Sequence, residues 1–190
     1  MRVVVAVVSL LLLSACTVIS GPQGIKNISA QGVINPEKSF YVPLGPDGVR
    51  RTFPTLEKKP AAGSGQEAAA VVLENLLRYQ PRSVAGTKTE TEDEALATAR
   101  SKGLDYVLYS KVSEWTDPNY LTCTYNFVDQ ADVDISVYEV SSGKALKIDR
   151  LYSAGCPTRV LAIPVGPNSP AKRLGTIVGT WLGENLREKR

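Results

Sequence analysis

Three cysteines, no histidine and two Ser-x-x-Lys spacings are the first places to look for chemistry in this 190-residue chain. The missing histidine removes the commonest general base, and with it Ser-His-Asp and Cys-His nucleophilic catalysis. It also removes the commonest transition-metal ligand. Ser141 to Lys144 and Ser169 to Lys172 have the spacing at which a lysine reaches back to a serine as its base. The first falls in a turn between strands, where no rigid dyad is expected. The second opens a helix, but neither the Ser-Asp-Asn nor the Lys-Thr-Gly partner motif occurs, and Ser169 already has a capping role. Gly63-Ser64-Gly65 lacks the spacing of a nucleophile elbow, and no phosphate-loop lysine motif is present. The acids between Thr89 and Glu94 read as a solvated first turn of a helix. The sequence therefore assigns no catalytic residue, no cofactor and no metal ligand.

The cysteines carry more. Met1-Arg2 is a short basic start, and Val3 to Leu13 is apolar except for Ser9. Leu13-Ser14-Ala15-Cys16 closes the run with small residues before a thiol. This is the pattern of a secretory signal peptide, and the run is too short for a membrane span of about 20 residues. The cysteine at the cut turns secretion into anchoring: Cys16 is the expected site of lipidation, with removal of residues 1–15. Each buried methylene is worth about 0.8 kcal/mol, so two or three acyl chains, palmitate among them, hold stably. Removing Arg2 lowers the net charge from +3 to +2, too little to point to nucleic acid. Basic residues at the C-terminal end (Arg187, Lys189, Arg190) read as a solvated helix end. With Cys16 lipidated, Cys123 and Cys156 remain in an oxidising compartment, and a disulfide between them is expected. A strict hairpin register from the turn at Ser142-Gly143 would set Cys156 opposite a residue near Asp129. The bond thus requires a bulge or loop between Cys123 and Asp132.

Positioning these residues falls to a chain of alternating patterns. Residues 16–35 are expected to be the lipidated N-terminus and tether, because Thr17 to about Asn27 has glycine and proline but no amphipathic period. A domain is expected over residues 36–190. Phe40, Val42 and Leu44 alternate as in a half-buried strand, and Pro43 suggests an edge or an end. Gly45-Pro46-Asp47-Gly48 is a turn and Val49 to Phe53 a short returning strand. Lys58 to Gly65 reads as a loop into a first helix, with Ser64 and Glu67 as a capping box. That helix carries Ala69, Val72, Leu73, Leu76 and Tyr79 on one stripe and ends before Pro81. Arg82 to Thr87 is a candidate strand. Thr91 and Glu94 make a second capping box on a helix that closes at Gly103. Leu104 to Trp115 is a strand with Leu104, Tyr106 and Leu108 on one face and Val107 and Tyr109 on the other. Val133, Ile135 and Val137 alternate with Asp132, Asp134 and Ser136, and Ser141 to Lys144 turns the chain into Leu146 and Ile148. After a proline- and glycine-rich loop, Ser169 and Pro170 open a helix bearing Leu174, Ile177, Val178, Trp181, Leu182 and Leu186. Gly175, Gly179 and Gly183 border that face; packing on the chain's own sheet is the expected reason, contact with another chain the alternative. The pattern predicts a single α/β domain: one mixed sheet with about three helices packed on it, an α/β sandwich.

Short motifs along the chain resemble an uncharacterised family of proteobacterial lipoproteins. They are Ser39-Phe40-Tyr41-Val42-Pro43, Gly45-Pro46-Asp47-Gly48, Gly63-Ser64-Gly65, the run from Ala99 to Trp115, and Val137-Tyr138-Glu139-Val140 with Gly143-Lys144. More remotely, the step into the Leu104 strand and the Val137 to Lys144 hairpin look like the curli-secretion lipoprotein and the lipoprotein activators of penicillin-binding proteins. That resemblance implies an α/β sandwich acting through protein contacts or assembly. The chain has neither the long tether of the activators nor an evident pair of pore hairpins, so the architecture alone carries over. Similarity to Gram-negative lipoproteins, with Thr17 and Val18 following the cysteine and no acid there, implies sorting to the outer membrane with the domain facing the periplasm. The expected role is a non-catalytic binding or assembly module for an envelope protein partner. The alternative is a periplasmic small-molecule-binding lipoprotein. Oligomeric state is left open.

Overall fold

A computed structural model describes residues 23–118, 123–124, 127–156, 158–160, 163–165 and 169–186. Cys16, the expected signal segment and the basic C-terminal residues lie outside them. The described residues form ten strands and three helices. In chain order these are β1 (Gln23–Ala30), β2 (Phe40–Leu44), β3 (Val49–Thr52), β4 (Glu57–Pro60), α1 (Ser64–Leu76), β5 (Val84–Thr89) and α2 (Glu92–Ser101). There follow β6 (Tyr106–Thr116), β7 (Asp129–Glu139), β8 (Ala145–Gly155), β9 (Thr158–Val160), β10 (Ile163–Val165) and α3 (Pro170–Leu186). Eight strands make one mixed open sheet in the order β1-β8-β7-β6-β2-β5, with β3 beside β6 and β4 on β3. The β9–β10 pair is a separate small hairpin within the stretch expected to be loop.

Alternation along the strands divides the interior in two. Phe40, Val42, Tyr106, Leu108, Val133, Ile135 and Leu151 face one side, where α1 and α3 bury Val72, Leu76, Leu174, Val178 and Trp181 against them. Tyr41, Val107 and Tyr109 face the other side under α2, with Ala95, Leu96 and Ala99. Leu104 belongs to this second cluster and not, as expected, with Tyr106 and Leu108. It precedes β6 and is not yet held to its pleat.

The sequence readings need correction at further places. Residues 23–30, expected to be tether, are β1, paired antiparallel with β8. An edge strand is held by its ladder, and here Ile25 alone packs on the core while a bulge after Asn27 breaks the period, so no amphipathic signal exists to read. Ile34, also upstream of the expected boundary, is a core residue. Lys58 to Pro60, expected to be loop, belong to β4; their exposed charges gave no alternation to detect. Of the two positions expected for Pro43, the structure gives the strand end: it is the next-to-last residue of β2, an interior strand whose ladder to β5 is irregular between Val42 and Leu44. Ser64 does not cap α1: the N-cap is Gly63 in the left-handed region (φ 83°). Asp47, from the preceding turn, accepts instead from the Gly63 and Gly65 amides (3.0 and 2.8 Å). Ser64 Oγ accepts from the Gly48 amide (2.9 Å), and Glu67 accepts from the Trp115 indole (3.0 Å). Gly175 and Gly179 face Val71 and Asn75 of α1, so this part of the stripe serves helix–helix packing and not packing on the sheet. The second capping box is present as expected, Thr91 and Glu94 exchanging hydrogen bonds.

Candidate functional site

The Ser-x-x-Lys pairs come out as turn and cap. Ser142 Oγ donates to Glu139 (2.7 Å) and accepts from the Lys144 amide (3.3 Å), which knits the β7–β8 turn beside Ser141. Ser169 Oγ accepts from the Lys172 amide at 3.4 Å, at the start of α3. Among the described residues no His/Cys/Asp/Glu group is placed to hold a metal.

Cys123 and Cys156 are joined by a disulfide, with Cα atoms 5.7 Å apart. Asp129 faces Gly155 in the β7–β8 ladder, so the regular register ends one residue before Cys156. Thr124 and Phe127 then form an isolated bridge, and this local reversal carries Cys123 back to its partner. The disulfide thereby fixes Phe127, which packs on Phe53 at the β3–β4 turn (ring centroids 5.7 Å).

Between that hairpin, the end of β6 and the start of α1 lies a cleft of about 530 Å³. Phe53, Trp115 and Phe127 supply its aromatic walls, and Arg50, Arg51, Glu67 and Asp117 its charges. Burial and the nearby Glu67 push the Asp117 carboxyl above its ordinary value. A second region is the face of β7, β8 and β1 turned away from α1 and α3. The register sets Lys111 and Arg150 against Asp134 from the two sides, Lys26 against Arg150, and Tyr152 against Asp132. Arg150 Nε lies 2.8 Å from Asp134 and 3.4 Å from Asp132, a partly exposed ion-paired array. α2 packs over β2 and part of β6 and touches β7 at Tyr138; among the described residues no helix covers the rest of this face.

Sequence reasoning missed the buried charged groups Asp149, Glu90, Asp129, Arg173 and Glu114, the last of them paired with Arg51. Asp149 accepts from Asn27 (2.8 Å) and the Trp181 indole (2.5 Å), tying β1, β8 and α3 together. Glu90 accepts from Tyr41 and Thr98 (2.8 Å each) under α2; burial, then Glu90, push the Tyr41 hydroxyl up to about 12. Asp129 lies 3.5 Å from Arg173, which donates to the Gly155 carbonyl (2.6 Å). Burial pushes Asp129 up to about 6 against the pull of Arg173. The available signal was an acid or base on an otherwise apolar face: Asp129 two residues before Ala131, Arg173 beside Leu174.

Residues 34–160 match a family described as a domain of unknown function, DUF4823. The chain belongs to that family. This agrees with the uncharacterised family that its motifs resemble. A search of curated proteins finds no match. Among solved structures, the PelC dodecamer from Paraburkholderia phytofirmans overlays with a TM-score of 0.60 at 15% identity, over 88% of this chain and 100% of that one. PelC and this DUF4823 chain share a fold. The LpoB C-terminal domain from Escherichia coli overlays with a TM-score of 0.37 at 20% identity, covering 66% of this chain and 87% of that one. For lipoprotein GNA1162 from Neisseria meningitidis the TM-score is 0.37 at 13% identity, covering 80% and 99%. The latter two overlays are too loose to bear on function.

Proposed function

We propose that this DUF4823 protein is an outer-membrane lipoprotein, anchored through acyl chains on Cys16, whose periplasmic domain is a non-catalytic binding or assembly module for an envelope protein partner. The observation that carries the reading is the face of the sheet that no described helix covers, where Lys26, Lys111, Asp132, Asp134 and Arg150 present alternating charge on a continuous ladder. Such an array fixes register and excludes wrong partners, as electrostatically complementary interfaces do. PelC is a dodecamer, so a second copy of the chain is among the partners to test. Among the described residues no helix is long and apolar enough to cross a membrane. A photocrosslinking side chain at Lys26, Lys111 or Tyr152 in cells should trap one defined partner or a second copy. The same probe at Glu74, on the exposed surface of α1, should not. Equal labelling from both surfaces, or none from the sheet, would count against the assignment. For the anchor, Cys16→Ser should abolish incorporation of labelled palmitate, and label retained in the mutant would sink it.

The cleft favours a second reading, a small-molecule-binding lipoprotein, because three aromatic side chains and convergent charges surround it. A bound ligand would change Trp115 emission, and Phe127→Ala would weaken that change.

A further inference from the structure

The β3–β4 hairpin places like charges opposite each other on both of its faces: Arg50 against Lys59, and Arg51 against Lys58. Directly opposed like charges destabilise an antiparallel pair. Arg51 is drawn to Glu114 at 2.8 Å, and Lys59 lies 3.9 Å from exposed Glu57. Among the described residues, Arg50 and Lys58 have no carboxylate within ion-pair reach. The turn joining the strands exposes Phe53 (55%) and Leu56 (37%). It is the one place among the described residues where two large apolar side chains are exposed within four positions. An apolar tip rimmed by cations suits a bilayer surface, its apolar groups entering the headgroup boundary while the cations meet lipid phosphates.

Topology sets this tip at the end of the sheet where the chain would meet its anchor. Gln23 faces Ser153, Ala154 faces Gln130, and Gln130 faces Thr116. β3 runs parallel to β6, and the Arg51 amide donates to Thr116 Oγ1 (3.0 Å), so the turn after Thr52 projects past the same end. From Gln23 on β1, crossing β8, β7 and β6 to reach β3 takes four strand spacings, or about 19 Å. The seven Cα steps from Cys16 to Gln23 can span about 25 Å. Acyl chains on Cys16 and the hairpin tip can therefore meet one surface together.

We propose that the β3–β4 hairpin is a second membrane contact, seating Phe53 and Leu56 in the headgroup boundary of an anionic leaflet while Arg50, Lys58 and Lys59 engage lipid phosphates. The inference rests on the Cys16 anchoring reading. It directs the hairpin end of the sheet toward the bilayer and leaves the charged sheet face standing free for a partner.

The lipidated full-length protein, reconstituted in phosphatidylglycerol-containing vesicles with brominated acyl chains and no other protein, supplies the test. Phe53→Trp and, separately, Leu56→Trp add a reporter at the tip; Val33→Trp adds one at the opposite end, where Val33 is 90% exposed. The fluorescence added at the tip should fall at least about twofold on bromination, and that added by Val33→Trp should not. Combining Arg50→Glu, Lys58→Glu and Lys59→Glu with Phe53→Trp should return quenching toward the Val33→Trp level. Intact mass reports the anchor separately. Acyl chains on Cys16 with equal quenching at both ends would overturn the hairpin contact alone, and a mass without acyl chains would overturn both readings. Quenching unchanged by the three charge reversals would overturn the phosphate contact.

Discussion

Asp129 shows how one carboxylate couples the interior to pH. It is 1% exposed, shares its surroundings with Arg173 and Asp117, and is pushed up to about 6 mainly by burial. Its folded-state value lies above the ordinary 3.8, so between the two the folded chain keeps a proton that the unfolded chain has released. This group's effect on stability is therefore most favourable below its ordinary value, declines as pH rises through the window, and levels off above about 6. The full window corresponds to at most about 3 kcal/mol. Asp129→Asn cannot ionise and should lose this slope: close to the wild type near pH 4, and the more stable of the two by pH 7. Urea unfolding of both proteins across that range measures it, and parallel curves would refute it. The sequence offered Asp129 as one more polar residue before a strand. Its burial follows from α3 returning to cover that end of the sheet, a contact between distant segments.

Among the elements, α1 is held by its neighbours more than by its own residues. Asp47 serves two amides at its start, so Asp47→Ala should destabilise the fold by about 1–2 kcal/mol in urea. Ser64→Ala should act through the lost bond to the Gly48 amide instead. Ser64-x-x-Glu67 matched a capping box because that motif describes local spacing alone, whereas the Gly63 and Gly65 amides at the helix start are met by Asp47, 16 and 18 residues away. Glycines separate the two kinds of contact. A Cβ on Gly65 would overlap the Gly45 carbonyl oxygen and lie 2.9 Å from Pro46 backbone carbon, so Gly65→Ala should be strongly destabilising or fail to fold. On Gly179 a Cβ would meet Asn75 Oδ1 at 3.5 Å, an ordinary contact. Gly179→Ala should be tolerated and gain roughly 0.5–1 kcal/mol from helix propensity. Thermal melts of the two variants in parallel decide the contrast.

At the scale of the whole molecule, the Cys123–Cys156 bond joins positions 33 residues apart and fixes the Phe127 wall of the cleft. Restricting the unfolded chain over such a loop contributes about 3–4 kcal/mol. Replacing both cysteines by serine should lower urea stability by about that amount. It should also weaken any ligand response of Trp115 more than it disturbs the β6–β7–β8 ladder. Far-ultraviolet circular dichroism beside Trp emission separates the two effects; sheet and cleft lost together would show that the bond holds the domain and not its end.

Patterns of short range made the fold class readable. Period two in β2, β6, β7 and β8, and period 3.6 in α1 and α3, identified these elements because their burial is set by alternation along one segment. The absence of histidine and the Cys16 pattern likewise belong to the sequence alone. What tertiary structure decided lies where no local period exists. β1 carries a single inward Ile25 and a bulge, and it becomes a strand because β8 offers an unpaired edge. β4 is wholly exposed and is defined by its ladder to β3. The cleft and the charged sheet face are products of topology: they join residues from β3, β6 and α1, or from β1, β7 and β8, that share no spacing in the chain. Backbone pairing leaves little trace in side-chain pattern, and neighbours brought together by sheet order leave none.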